Sequence, residues 1–237
     1  MFAGIPASHA AGYVENLSTA EKEAVEILHS LNIIDNDSET FDPSSQLTRA
    51  QTAKAVYVIL KGGQDDGAVN FMGTSNTFTD ISGHWAEGYI NYSFAMGFIS
   101  GYTDGTFVPD SKITGFAFIK IALTVIGYDA KIEGFEGPKW DQRVIGRAME
   151  SGILEGYNGK PDEPITARDA VLILYNALSA PVVEYTATGE LQKTSRTVGE
   201  EVFGLQTYKG ILWATDEAAL GMSPLSRERS SWVDLDG

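Results

Sequence analysis

The sequence predicts a mainly α fold: a central bundle of three apolar helices with amphipathic helices packed outside it, followed by a small β-rich segment. Three observations carry this expectation. An apolar residue and a threonine recur just ahead of helices that are apolar on most sides, at Leu47-Thr48, Ile113-Thr114 and Ile165-Thr166. Trp85 and Trp140 each stand sixteen residues before a Gly-Tyr pair, Gly101-Tyr102 and Gly156-Tyr157, and self-similarity of this kind marks tandem units that bury a shared core. From Val182 onward the pattern changes to short apolar runs between Gly-rich turns, the signature of strands.

The first ten residues contain no Asp, Glu, Lys or Arg and end in Ser8-His9-Ala10, with small residues at the two positions a signal peptidase reads. Residues 1–12 are therefore read as the remnant of a signal peptide or as a disordered arm. In the first unit, residues 13–62, Ala24, Ile27, Leu28 and Leu31 recur at helical spacing opposite Glu21, Lys22, Glu23 and Glu26, which predicts an amphipathic helix from about Thr19 to Leu31. Its counterparts run from about Trp85 to Met96 and from Trp140 to Ser151, each followed by a glycine stop, Gly97 or Gly152.

The second helix of each unit starts at the repeated threonine, whose hydroxyl accepts a bond from a free N–H at the helix start. Thr48 with Gln51 forms a capping box and Thr166 with Asp169 a shorter version of it, whereas Thr114 has only Ala117 at that place. Ile113 and Phe118 are placed to form a hydrophobic staple there instead. These helices carry Val56-Tyr57-Val58-Ile59-Leu60, Phe118-Ile119 through Val125-Ile126, and Val171-Leu172-Ile173-Leu174 through Leu178. Helices apolar nearly all round belong in a core, and three of them imply the central bundle.

Residues 63–77, rich in Gly, Asp and Asn, read as a flexible linker between the first unit and the second, residues 78–130. Residues 131–180 form the third unit. In 181–237, Val182–Tyr185, Glu201–Leu205 and Gly210–Thr215 are expected as short strands, either of a small appendage or of the start of a further domain.

Composition removes several classes of function. A chain of 237 residues with 43% hydrophobic content can bury a sizeable core, and a net charge of −15 argues against a nucleic-acid partner. Without cysteine there is no disulfide scaffold, thiolate metal site or cysteine nucleophile. No apolar run reaches the length of a membrane span. Asp35-Asn36-Asp37-Ser38-Glu39 has Thr40 where a calcium loop needs its turn glycine and Gln46 where it needs a bidentate glutamate, so it is read as a polar loop. Only His9, His29 and His84 are present, too few for a multi-histidine zinc site, and no phosphate-binding glycine loop occurs. His84 is expected to cap or pack at a helix start. No cofactor, metal or catalytic residue is assigned, and the chain is not expected to be an enzyme.

The second unit reads Phe78-Thr79-Asp80-Ile81-Ser82-Gly83-His84-Trp85-Ala86, then Gly97-Phe98-Ile99-Ser100-Gly101-Tyr102-Thr103-Asp104-Gly105-Thr106-Phe107-Val108-Pro109, then Ile113-Thr114. The first keeps Thr40-Phe41-Asp42-Pro43 and Leu47-Thr48-Arg49-Ala50-Gln51, and the third keeps Gly152-Ile153-Leu154-Glu155-Gly156-Tyr157 and Ile165-Thr166. At these residues the chain resembles the S-layer homology family, with three divergent tandem repeats covering about Tyr13 to Ala180. The resemblance implies a pseudo-threefold arrangement. It also implies a noncatalytic module, secreted to the bacterial cell surface, that binds an anionic and often pyruvylated wall polysaccharide in grooves between neighbouring repeats. An S-layer lattice component with mainly protein contacts, and the anchor end of an extracellular enzyme, are the alternatives. Partners would be a wall glycan or peptidoglycan-linked polymer, or other S-layer subunits.

Arg49, at the family's arginine position, is the leading ligand candidate, because a guanidinium binds a carboxylate in bidentate fashion; a solvated arginine is the plainer reading. Gln51, where the family has glutamate, is expected to cap its helix. Lys54 is a candidate second cation in the same groove. Trp85 and Trp140 are expected to pack in the core with one exposed edge each, as plates for a sugar face. Tyr102 and Asp104 in the Gly101–Gly105 turn are candidates for sugar hydroxyls, although Asp-Gly is also ordinary turn chemistry. Tyr157 holds the equivalent place in a shorter loop. At the arginine position the second and third repeats have Gly115 and Ala167, and Arg168 is displaced by one residue, or about 100° around its helix.

Overall fold

The computed structural model describes residues 17–36, 39–74, 77–211 and 228–233. Six helices build the body: α1 Thr19–Ser30, α2 Arg49–Leu60, α3 Glu87–Ala95, α4 Gly115–Val125, α5 Trp140–Ser151 and α6 Ala167–Ser179. Beyond them lie β1 Pro181–Tyr185, β2 Leu191–Thr197, a short α7 Val198–Phe203, β3 Gln206–Ile211 and β4 Glu228–Val233. β1 pairs antiparallel with β2, and β3 with β4. The fold is mainly helical with a small β-rich C-terminal part, as expected. The signal-peptide reading of residues 1–12 falls outside the described residues, as does part of the Asp35–Glu39 loop.

The recurrent threonines explain how the units join. A helix start leaves several backbone N–H groups unpaired. Thr48, Thr114 and Thr166 each accept the third of these with the side chain, from Gln51, Ala117 and Asp169. The first two N–H groups donate to a neighbouring unit instead. Arg49 N and Ala50 N donate to Ser111 O and Pro109 O, Gly115 N and Phe116 N to Glu163 O and Pro161 O, and Ala167 N and Arg168 N to Ser45 O and Pro43 O. The apolar residue before each threonine closes an inner cycle: Leu47 N donates to Ile165 O, Ile165 N to Ile113 O, and Ile113 N to Leu47 O, at 2.9–3.3 Å. All three side chains are buried. The third unit therefore returns to the first, giving a closed pseudo-threefold ring.

Packing follows the same rotation. The amphipathic helix of each unit lies on the apolar helix of the unit before it: α3 on α2, α5 on α4, and α1 on α6. Tyr57, Ile59, Phe118, Ile119, Leu123, Ile173 and Leu178 from α2, α4 and α6 share one buried cluster, which also takes in Ile113 and matches the staple placement of Ile113 with Phe118. Phe78, Ile90, Ile99 and Phe107 with Ala50 and Ala53 form a smaller cluster under the second unit's loop.

Four expectations are corrected. The α3 helix begins at Glu87, two residues after Trp85. Residues 63–77 are not an open linker: a 3-10 helix, Asp66–Phe71, packs on α3. Ala68 is buried there, Phe71 meets Tyr57 and Tyr92 edge-on, and Glu87 reaches back to accept from Gly73 N. Glu201–Leu205 is not a strand, because Thr197 and Glu200 form a capping box and Gly204, at φ 66°, ends a helix. The strand that pairs with β1 is Leu191–Thr197, a mostly polar run whose solvent-facing side chains carry no apolar alternation. Last, Asp169 is too short to reach the backbone N–H of Thr166, so its carboxylate accepts from the Thr166 hydroxyl at 2.8 Å, whereas the longer Gln51 completes the full box at Thr48 N.

Candidate functional site

The groove with the most chemistry lies where α2 begins. Arg49 is the first residue of α2, so its side chain projects over the loop of the second unit. Its Nε donates to Phe107 O at 2.7 Å and its Nη2 to Ser100 O at 2.8 Å. The guanidinium carbon lies 4.3 Å from the Phe107 ring centroid and 5.0 Å from that of Tyr102. One edge of the guanidinium is thus spent on backbone carbonyls and the remaining donors face outward. Burial lowers the Arg49 pKa from the usual arginine value, with Tyr102 and Asp80 acting in the opposite direction; the group stays charged at any physiological pH.

Asp80 builds the platform. Its two carboxylate oxygens accept Phe107 N at 2.8 Å and Val108 N at 2.7 Å. That grip holds Val108, a β-branched residue, at φ 54°, where such residues are rarely found. The carbonyl of Phe107 is consequently presented to Arg49.

Arg49 lines an open groove of about 560 Å³ together with Phe107, Lys120 and Trp140. Lys120, from α4, lies with its ammonium 5.9 Å from the centroid of the Trp140 ring and has no ion-pair partner among the described residues. Trp140, first residue of α5, also meets Phe116 edge-on. Two cations and an aromatic plate therefore converge, with Glu136 the one carboxylate on the rim. Chemically, this groove suits a ligand with a carboxylate on an otherwise apolar-faced, hydroxylated body: the cations take the charge and the indole takes the C–H face.

The other sequence-stated candidates separate. Tyr102 is exposed and reaches the groove through its contact with Arg49. Asp104 accepts from Thr106 N at 3.0 Å and Thr106 Oγ1 at 2.7 Å, bonds that hold its carboxyl below the usual carboxylate range, so its geometry is turn chemistry. Gln51 accepts from Thr48 N and caps α2. Lys54 does not join Arg49: its Nζ lies 2.9 Å from Asp35 and 3.4 Å from Asp65. The reason is the helical turn, which places Lys54 on the side of α2 facing the first unit's own loop. Trp85 is 47% exposed, more than a core residue with one free edge, and leans on His84 and Tyr89. His84 accepts Ala86 N through Nδ1 just ahead of α3, whose first turn has no side-chain cap. Arg168 pairs with Glu21 of α1 at 3.3 Å. Tyr157 is half-buried between Gly115 and Asp169, and burial, then Asp169 and Asp162, push its hydroxyl up to about 12.

Three residues were missed from sequence. Lys120 stands six residues beyond its threonine, as Lys54 does, and that offset was the available signal. Asp80 and Glu87 gave none. Glu87 is buried, accepts Gly73 N at 2.7 Å and Gly83 N at 2.9 Å, and those two N–H groups hold its carboxyl below the usual range.

A closed ring of helix pairs, with a cationic groove at the junction where α2 begins, defines a tandem-repeat module. The model of the S-layer homology domain family matches two stretches of the chain, residues 14–53 and 77–119. It is 28% identical over 165 residues to a cellulosome-anchoring protein of Acetivibrio thermocellus, covering 62% of this chain and 36% of that protein. It is 27% identical over 144 residues to a middle cell wall protein of Brevibacillus brevis, covering 60% of this chain and 13% of that protein. With an S-layer protein of Bacillus anthracis it shares 30% identity over 125 residues, 50% of this chain and 14% of that protein. The chain thus spans about a third or less of the curated relatives it matches.

Proposed function

We propose that this chain is a noncatalytic, secreted module that holds its protein at the bacterial cell surface by binding an anionic, pyruvylated wall polysaccharide in the Arg49 groove. The carrying observation is the convergence of Arg49, Lys120 and Trp140 on one open groove, in a protein whose net charge is −15. A molecule this acidic binds a polyanion only where local cations outweigh the overall repulsion. The relatives named for cellulosome anchoring, the cell wall and the S-layer support the surface location. The three repeats in this reading are residues 13–62, 78–130 and 131–180, the third divergent in its motif but joined to the ring by the same backbone bonds.

Sedimentation with purified wall sacculi tests the reading. The chain is expected to pellet at low salt and to be released as salt rises, because the contacts are charge-dependent. Chemical removal of the secondary polymers should abolish pelleting. Undiminished pelleting after that treatment would refute glycan recognition and favour a lattice role with protein contacts.

A further inference from the structure

Resting on that reading, we infer that the ring carries one anion site rather than three, because the other two junctions are closed or neutralised by the chain's own residues. The pseudo-threefold geometry makes the comparison direct: each junction has a motif position one residue after one unit's threonine, a helix position six residues after the next unit's threonine, and a place for the residue at or just ahead of the start of the outer helix packed there. At the first junction these are Arg49, Lys120 and Trp140.

At the second junction they are Gly115, Leu172 and Thr19, none of them cationic. The site is also filled. A Cβ added to Gly115 would lie 2.8 Å from Pro161 Cα and 2.9 Å from the Tyr157 hydroxyl oxygen. No side chain fits at the motif position, and the space into which an arginine would project holds the Tyr157 hydroxyl. Tyr157 belongs to the loop equivalent to that of Tyr102. In the first junction the aromatic ring flanks the cation; in the second it stands in the cation's place.

At the third junction the set is Ala167, Lys54 and Trp85. The lysine equivalent to Lys120 is present, yet its ammonium is shared between Asp35 and Asp65, and Asp65 also accepts from the Tyr89 hydroxyl. Arg168, beside the motif position in sequence, instead faces α1 on the second junction's side of its helix, where Glu21 engages it. Lys54 has internal carboxylates, so an incoming carboxylate would have to displace one. Lys120, by contrast, has no ion-pair partner among the described residues. Tyr157 and the Asp35–Asp65 pair thus set the number of sites, and they are positioning residues, not ligands.

The test uses the intact chain and, as probe, a methyl hexoside bearing a 4,6-linked pyruvate ketal. Isothermal calorimetry should give one ligand per chain. With the tryptophans 15N-labelled, titration should move the indole signal of Trp140 and leave that of Trp85 in place. Asp35→Asn combined with Asp65→Asn should free Lys54 and bring the Trp85 signal into the titration, while Tyr157→Phe, which keeps the ring in the second junction, should leave the stoichiometry at one. Two or three ligands per parent chain, or a Trp85 shift at the same ligand concentration as that of Trp140, would overturn the inference while leaving the wall-binding reading intact. No heat and no shift at all would overturn that reading and this inference with it.

Discussion

Replacing Arg49 by alanine should cost the fold as well as the groove. The side chain makes two hydrogen bonds from a charged donor to carbonyls of the second unit's loop, at 2.7 and 2.8 Å. Such bonds are each worth about 1.5–3 kcal/mol, and a partly exposed cation over an aromatic ring adds about 0.5–1. Ser100 is exposed, so water replaces part of the loss there; Phe107 is buried, so its carbonyl loses more. A net destabilisation of about 2–4 kcal/mol is expected, which for a chain of this size lowers the melting temperature by roughly 5–15 °C. Differential scanning calorimetry of Arg49→Ala and Arg49→Lys reads this directly. Lysine keeps the charge but cannot span both carbonyls, so both variants should melt early, with Arg49→Lys retaining part of the salt-sensitive wall binding. An Arg49→Ala melting temperature within about 1 °C of the parent would refute the structural half of this argument and make Arg49 a ligand residue alone.

The threonine caps should rank by how many bonds they complete: Thr48→Ala, which breaks a full capping box, should cost about 1–2 kcal/mol by chemical denaturation, and Thr114→Ala, with one side-chain bond, about 1 or less. The N–H groups of Gly73 and Gly83 hold the Glu87 carboxyl below the usual glutamate range, so its contribution is complete above that range and is lost as pH falls through the folded value. Protection of the Gly73 and Gly83 amides, taken against the intrinsic exchange rate at each pH, should therefore fall in acid, and already at neutral pH in Glu87→Gln; equal protection in that variant would remove the clamp from the account. Gly127→Ala should undock β1, since the new Cβ would lie 2.1 Å from Val183 O on a backbone at φ 101°, and proteolysis after Ala180 should become faster than in the parent. Lys120→Ala should weaken glycan binding on the order of tenfold in calorimetry while lowering the melting temperature by no more than about 2 °C, because among the described residues the lysine makes no ion pair and loses only its long contact with the Trp140 ring.

The helices were legible because their signals are local. Threonine caps, glycine stops and a period of 3.6 residues fix α1, α2, α5 and α6 to within a residue or two. The central bundle followed from helices too apolar to face water. What failed was non-local. The 3-10 helix at Asp66–Phe71 exists because Phe71 and Ala68 find α2 and α3, a contact that no pattern in a Gly- and Asp-rich stretch announces. Lys54 reads as a second groove cation because it lies one turn beyond Ala50, but five residues past Arg49 is about 140° around the helix, and Asp35 and Asp65, which it meets there, are not announced by the pattern. The motif singles out Arg49, whereas its grip on Ser100 and Phe107 depends on Asp80 folding the opposing loop.

The closure of Leu47, Ile113 and Ile165 on one another has a topological consequence. A linear array of repeats has two end units, and its ends can fray one at a time. Here each unit caps the helix of the unit before it and is capped by the one after, so no unit is terminal and the covalent order is only one of three equivalent cuts. Losing any one unit leaves the helix N–H groups of the unit before it without acceptors and the loop carbonyls of the unit after it without donors, so each unit's loss is felt by both of the others. Under the wall-binding role proposed above, a pull on the ring would meet no end unit at which fraying could begin, and the cycle of Leu47, Ile113 and Ile165 would have to open first.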